Sequence, residues 1–151
     1  MSSAAPSLPT AGAPLAGVTV VEWADDPAGE MTGLQLANPG ATVVKVEPAA
    51  GAPSRRTGPF VDGVADPERS LAYWYYNAGK QSVVLDLPDA DARARFDALI
   101  AGADVLLLSS HPKELDRLGL DLHAIEAAHP ALVVVAITPF GLTGPWRDYL
   151  S

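Results

Sequence analysis

The 151-residue chain contains no cysteine. That excludes a disulfide framework, a thiol nucleophile and a Cys-ligated zinc site, and a reducing, cytoplasmic setting is the expectation that follows. Cations are scarce too: ten Lys and Arg stand against eighteen Asp and Glu, for a net charge of −8. Counterion release needs clustered Lys and Arg, so a nucleic-acid or anionic-membrane surface is excluded as a partner. Where the ten cations fall matters more than their number. Long apolar runs are also missing. The longest, Ala131 to Ile137, has seven residues, far short of the ~20 that cross a bilayer, so no membrane span is expected. The opening MSSAAPSLPTAGAP has neither the basic start nor the apolar core of a secretory signal. Its Ala, Pro, Ser and Gly bias reads as a disordered lead over residues 1–14, with the folded portion over 15–151.

What is present is a regular alternation. Five short apolar runs recur: VTVVEW (18–23), ATVVKVE (41–47), SVVLDL (82–87), DVLLLS (104–109) and ALVVVAIT (131–138). Each is nearly continuous rather than alternating, as in strands covered on both faces. Helical patterns lie between them. Residues 28–38 place Met31 and Leu34 at helical spacing before Pro39-Gly40 stops the pattern. Residues 88–103 open with Pro88 and two Asp, carry Phe96, Leu99 and Ile100 on one face, and reach Gly102. Residues 121–130 form a shorter pattern ended by Pro130. Strand–helix alternation of this kind predicts an α/β fold: a Rossmann-like, mostly parallel sheet of about five strands with helices on both faces.

In such sheets ligands bind beyond the carboxyl ends of the strands. That rule marks Ala24–Gly29, Glu47–Thr57, Leu87–Asp89, Ser109–Lys113 and Pro139–Trp146 as the functional edge. One long irregular stretch, Pro48 to about Arg69, carries Arg55-Arg56, and a connection of that length reads as a functional loop or disorder. The aromatics Tyr73 to Tyr76 that follow are read as a short helix packing on the sheet, with a subunit interface as the alternative.

Several motifs fail on inspection. A dinucleotide site needs glycines at the first strand–helix turn. Here the turn reads ADDPAGEMTG, although Glu47 resembles a ribose-binding acid. NAGKQS (77–82) echoes a P-loop but precedes a strand. His111, His123 and His129 lack metal-like spacing, so no metal site is expected. His123 and His129 read as solvent-facing, whereas His111 sits at a strand exit. No serine occupies a nucleophile elbow.

Taken together, LAGVTVVEWADDPAG, GATVVKVEP, NAGKQSVVLDL, ADVLLLSSHPKELDRLGL and HPALVVVAITPFGLTGPWRD resemble, in order and spacing, the class III CoA-transferases (CaiB/BaiF family). The likeness runs from Leu15 to Arg147. It implies an enzyme that moves CoA from an acyl-CoA to a carboxylic acid, with CoA as substrate and no further cofactor. It also implies a two-lobed, longer chain forming interlocked homodimers. By that likeness Arg117 would contact a CoA phosphate and Leu118 would lie near the adenine. Leu85, Asp86, Leu87 and Pro88 would run beside the nucleotide. Ser109, Ser110 and His111 would form the loop after the fourth strand, and Pro27 and Ala28 would sit near the thioester end. For Arg117 the other reading is a helix-surface arginine paired with Glu114 or Asp116, and for Lys45 and Lys80 it is an ion pair or a sheet-edge cation.

The family's nucleophile is an aspartate beyond the closing glycine loop, so the resemblance assigns no residue of this chain to catalysis, Asp148 included. The departures from the family pattern are acidic: Asp25-Asp26 flank the first turn, and Glu30 replaces the usual Pro. If these acids faced inward they would repel an anionic ligand. Pro48 stands where some members carry an Arg, and Ser109-Ser110 replaces the usual Asn-Phe pair. Two functions are expected from this reading. One is the N-terminal CoA-binding part of a CoA-transferase, inactive alone and cut before its nucleophile. The other is the degenerate half of a tandem transferase, kept for structure.

Overall fold

The computed structural model describes residues 12–149. The lead expected over residues 1–14 lies outside them apart from 12–14. Strands β1 (Thr19–Ala24), β2 (Thr42–Glu47), β3 (Gln81–Val84), β4 (Val105–Ser109) and β5 (Val133–Ile137) form one sheet in the order β3-β2-β1-β4-β5. Every pairing is parallel. The connections carry α1 (Pro27–Ala37), α2 (Leu71–Tyr76), α3 (Ala90–Ala101), α4 (Pro112–Arg117) and α5 (Leu122–Ala128).

Strand alternation sorts the core into two layers. Val21 and Trp23 of β1, Val46 of β2, and Leu106 and Leu108 of β4 face one side, where α3, α4 and α5 cover them with Phe96, Ile100 and Leu115, flanked by Ile125. Trp23 meets Phe96 edge to face at 6.5 Å. Val20, Val43 and Leu107 face the other side with Leu36 and Ala37 of α1. Full burial of each such side chain contributes about 1.5–3 kcal/mol. α3 forms as its pattern requires. Asp89 caps it by accepting from the Ala92 amide at 2.9 Å, and Phe96 and Ile100, one turn apart, make its buried stripe.

Two expectations need correction. β3 and β5 are the sheet edges, so they are partly exposed rather than covered on both faces. β3 stops at Val84, because the chain leaves the ladder after the Leu85 amide bonds the Glu47 carbonyl at 2.9 Å. The aromatic stretch is helical, as expected: α2 packs on α1 and reaches the sheet through Tyr73, whose hydroxyl donates to Glu47 of β2, while Trp74 and Tyr75 are exposed. His123 is solvent-facing, as its spacing implied.

The chain builds β1, β2 and β3 outward in one direction, then crosses to β4 on the far side of β1. The strand order therefore reverses between β1 and β4, and their carboxyl ends open a crevice there.

Candidate functional site

Two short segments frame this crevice, and a pair of acids ties them together. The Asp25 amide donates to the Ser109 carbonyl at 2.8 Å, continuing the β1–β4 ladder past its end. Asp26 caps α1, taking the Gly29 amide on one oxygen at 2.9 Å and the Ser109 hydroxyl on the other at 2.6 Å. Asp25 accepts the Ser110 hydroxyl. Ser109 and Ser110 are buried, while Pro27 and Ala28 stand exposed at the mouth. His111 caps α4 by accepting the Lys113 amide on Nδ1, which leaves the proton on Nε2, a buried atom with no partner among the described residues. The structure thus brings Pro27, Ala28, Ser109, Ser110 and His111 together.

Of the three acids that could repel an anionic ligand, only Glu30 is paired with a cation, the buried Lys45. Asp25 and Asp26 are half-buried and accept the neutral Ser110 and Ser109 hydroxyls, so they are held in place with their charge uncancelled.

Burial pushes the Asp25 carboxyl above its ordinary range, against the opposing pull of Ser110 and Lys45. A carboxylate held up in the folded state binds its proton more tightly there than in the unfolded chain. Stability is therefore lost as pH rises from about 3.8 through the folded value, and the loss persists above it. Asp25→Asn keeps an acceptor for Ser110 and removes that cost. It should raise the melting temperature at pH 7 and make no difference near pH 3, as calorimetric melts across that range will show.

The second group gathers where β3 exits. Leu85, Leu87 and Leu118 are core residues, 2%, 3% and 6% exposed, so they offer a ligand main chain rather than side chains. Asp86 and Pro88 are exposed. Arg93 of α3 donates to the Leu118 and Gly119 carbonyls at 2.9 and 3.1 Å, which holds the end of α4 against the start of α3. Arg117 is 62% exposed and donates to both Glu114 oxygens at 2.8 and 2.6 Å. Glu114 holds its guanidinium above the ordinary arginine range, with a smaller contribution from Asp86. The ion pair read from the sequence as one alternative is present, and it engages Nε and Nη2 and leaves the Nη1 donors to a ligand.

Beneath the edge lies a charged layer. Lys45 donates to Glu22 at 3.1 Å and to the Ala24 carbonyl at 3.1 Å, and stands 3.0 Å from Glu30. Lys80 donates to both Glu22 oxygens, to the Glu30 carbonyl at 2.7 Å and to Asn77 at 3.0 Å. All four charged side chains are 0–1% exposed. The Ser54 hydroxyl reaches Glu30 at 2.6 Å, joining the irregular stretch to the first turn of α1.

One strand over, Glu47 accepts Arg55 at 2.6 and 2.9 Å, the Tyr73 hydroxyl at 2.8 Å, the Ala52 amide at 2.9 Å and the Ser82 hydroxyl. Burial alone would raise its carboxyl, but Arg55 and these donors hold it at about 2. Its oxygens are spent internally, so it is no ribose acceptor. The sequence held a signal for both clusters. Glu22, Lys45 and Glu47 interrupt apolar strand runs, and a charge in a strand covered on both faces must find a partner.

The closing loop lies past β5, on the expected edge, and Arg147 docks it on α4 through both Asp116 oxygens at 2.8 and 2.7 Å. A cleft of ≈ 650 Å³ lies beneath it, lined by Leu115, Leu120, Leu122, Val134, Ala136 and Leu142 among others. Of the residues marked from the sequence, Leu142 and Thr143 of the Pro139–Trp146 segment line it, while none of those that the family likeness assigns to CoA does. Among the described residues no group of His, Asp and Glu could hold a metal ion, and no helix is long and apolar enough to cross a membrane.

With the geometry in place, comparison with known proteins adds independent information. The sequence profile of CoA-transferase family III matches residues 15–151. The succinyl-CoA:(R)-benzylsuccinate CoA-transferase subunit BbsE of Thauera aromatica is 41% identical over 121 residues, 80% of this chain and 30% of that protein. The succinate–glutarate CoA-transferase of Agrobacterium fabrum is 37% identical over 145 residues, 94% of this chain and 36% of that protein. The crystal structure of a CaiB/BaiF family protein from Brucella suis superposes with a TM-score of 0.78 at 36% identity, covering 89% of this chain and 36% of that one. The chain spans about a third of the length of these relatives.

Proposed function

Because the chain belongs to CoA-transferase family III, we propose that it is the N-terminal, CoA-holding part of an acyl-CoA:carboxylate CoA-transferase. The observation that supports this reading is the shared edge. Every segment that the family likeness assigns to CoA lies beyond the carboxyl ends of one parallel sheet whose order reverses between β1 and β4. In this proposal the main chain of Leu85–Pro88 and the Arg117 guanidinium take the nucleotide end of CoA. The pantetheine arm passes Ser109–His111, and the thioester reaches the exposed turn at Pro27 and Ala28. The α1 cap and the two acid–hydroxyl pairs keep that turn fixed.

The transfer itself needs an enzyme carboxylate that attacks the acyl carbon of the thioester and expels CoA as thiolate, leaving a mixed anhydride. The thiolate then attacks the enzyme's own carbonyl, which releases the donor acid and leaves an enzyme thioester. The acceptor carboxylate expels the thiolate again to form a second anhydride, and attack of the thiolate on the acceptor's carbonyl gives the product acyl-CoA and restores the enzyme carboxylate. By the family likeness that carboxylate is an aspartate beyond the closing glycine loop, so in this proposal no residue of these 151 is the nucleophile, Asp148 beside Arg147 and Lys113 included. The isolated chain is expected to bind without turning over. A cytoplasmic homodimer is part of the same proposal for the longer protein, and the relative BbsE is named as a subunit.

Calorimetric titration with CoA should give saturable heat, while an exchange assay with an acyl-CoA and a free acid should give none of the exchanged product. Robust turnover by the chain alone would overturn the assignment of the nucleophile. Absence of any saturable heat would favour the structural half of a tandem transferase.

A further inference from the structure

The carboxyl edge is nearly neutralised from within. Among the described residues, Arg55 pairs with Glu47 and Glu68, Arg69 with Asp62, Lys113 with Asp148, Arg117 with Glu114 and Arg147 with Asp116. Lys45 and Lys80 are buried against Glu22. Arg56 differs. It is exposed, and its Nη1 donates to a neutral group, the Ala50 carbonyl, at 2.7 Å.

Local geometry explains why Arg56 points outward while Arg55 does not. β2 ends in a turn closed by the Gly51 amide on the Pro48 carbonyl at 2.8 Å, with Gly51 at φ +74°. The 3₁₀ turn Pro53–Arg56 follows, and Arg55 is pulled inward by Glu47 and stacked 3.8 Å from the centre of the Tyr73 ring. Successive residues of such a turn point about a third of a revolution apart, so the neighbour of an inward Arg55 is thrown outward. Ser54, two residues earlier, is fastened to Glu30 in the first turn of α1. Arg56 therefore stands where the exits of β1 and β2 meet.

We propose that Arg56 is a phosphate-binding residue of this edge, taking a phosphate or pyrophosphate oxygen of the ligand on the guanidinium donors that Ala50 does not use. A planar fork already braced by one carbonyl loses less freedom on binding than a loose side chain does. The inference rests on the reading of the edge as a CoA site.

The test uses the whole chain and three probes: CoA, pantetheine and inorganic pyrophosphate, titrated by calorimetry at low salt. Arg56→Ala should leave melting unchanged, weaken CoA about five- to tenfold and leave pantetheine binding as it was. Arg95→Ala, which removes an equal charge from the exposed flank of α3, should change neither. Unaltered CoA affinity in Arg56→Ala, an equal loss for pantetheine, or an equal loss in Arg95→Ala would each overturn the assignment. Should the unmodified chain fail to bind CoA, the CoA reading falls by itself. The pyrophosphate arm then decides for Arg56: weaker binding in Arg56→Ala keeps it as an anion site, and identical or absent binding removes it.

Discussion

Lys45→Met will lower the stability of the chain by about 3–5 kcal/mol, the usual cost of removing one partner from a buried ion pair. For a domain of this size that corresponds to a fall in melting temperature of roughly 6–20 °C. Methionine fills most of the lysine's volume, so the loss is electrostatic rather than a cavity. Glu22 keeps Lys80, but Glu30 keeps only the Ser54 hydroxyl and becomes a buried charge without a counterion. Combining Lys45→Met with Glu30→Gln should therefore cost less than the two single changes added together, because the second change removes the charge that the first orphaned. Thermal melts of the four proteins measure this directly. A single variant that melts within about 2 °C of the parent, or costs that simply add, would show that the charged layer is not one coupled unit.

Gly29→Ala should act at the site itself. A Cβ there would fall 2.2 Å from the Ser109 Cβ and 2.9 Å from the Ala24 Cβ, both on strand ends that cannot yield. The first turn of α1 must lift, breaking the Asp26–Ser109 bond and separating Pro27 and Ala28 from Ser109–His111. Overpacking of this kind costs about 1–3 kcal/mol. The displacement should weaken CoA binding by at least about tenfold, the effect of losing roughly one charge-assisted contact or its equivalent. Gly102→Ala is the matched control, since its nearest obstacle is a carbonyl at 3.9 Å. Equal CoA affinity in Gly29→Ala and Gly102→Ala would contradict the crevice as the binding place.

Much of this architecture was readable in advance. The nearly continuous valine and leucine runs marked the five strands, though not which two would be exposed edges, and Phe96 and Ile100 marked their helix by spacing. The carboxyl-edge rule then named the exits, and the chain does bring Ala24–Gly29 and Ser109–His111 together. Failures came where a residue's fate depends on a neighbour distant in sequence. Asp25, Asp26 and Glu30 were legible as acids at the first turn, but which way they face was not, because their partners Ser110, Ser109 and Lys45 come from other strands. Glu47 was legible only as an acid at a strand end, and the partners that fill its oxygens, Arg55, Tyr73 and Ser82, come from segments the pattern could not bring to it.

The sequence alone determined the succession of strands and helices along the chain and the family likeness, because these follow from local periodicity and from strings of adjacent residues. Only the tertiary structure decided which charges are spent and which remain. Ion pairing falls off within a few ångströms, and the partners that come that close, such as Glu22 and Lys80 or Glu47 and Arg55, are set by how the sheet and its connections fold back on one another.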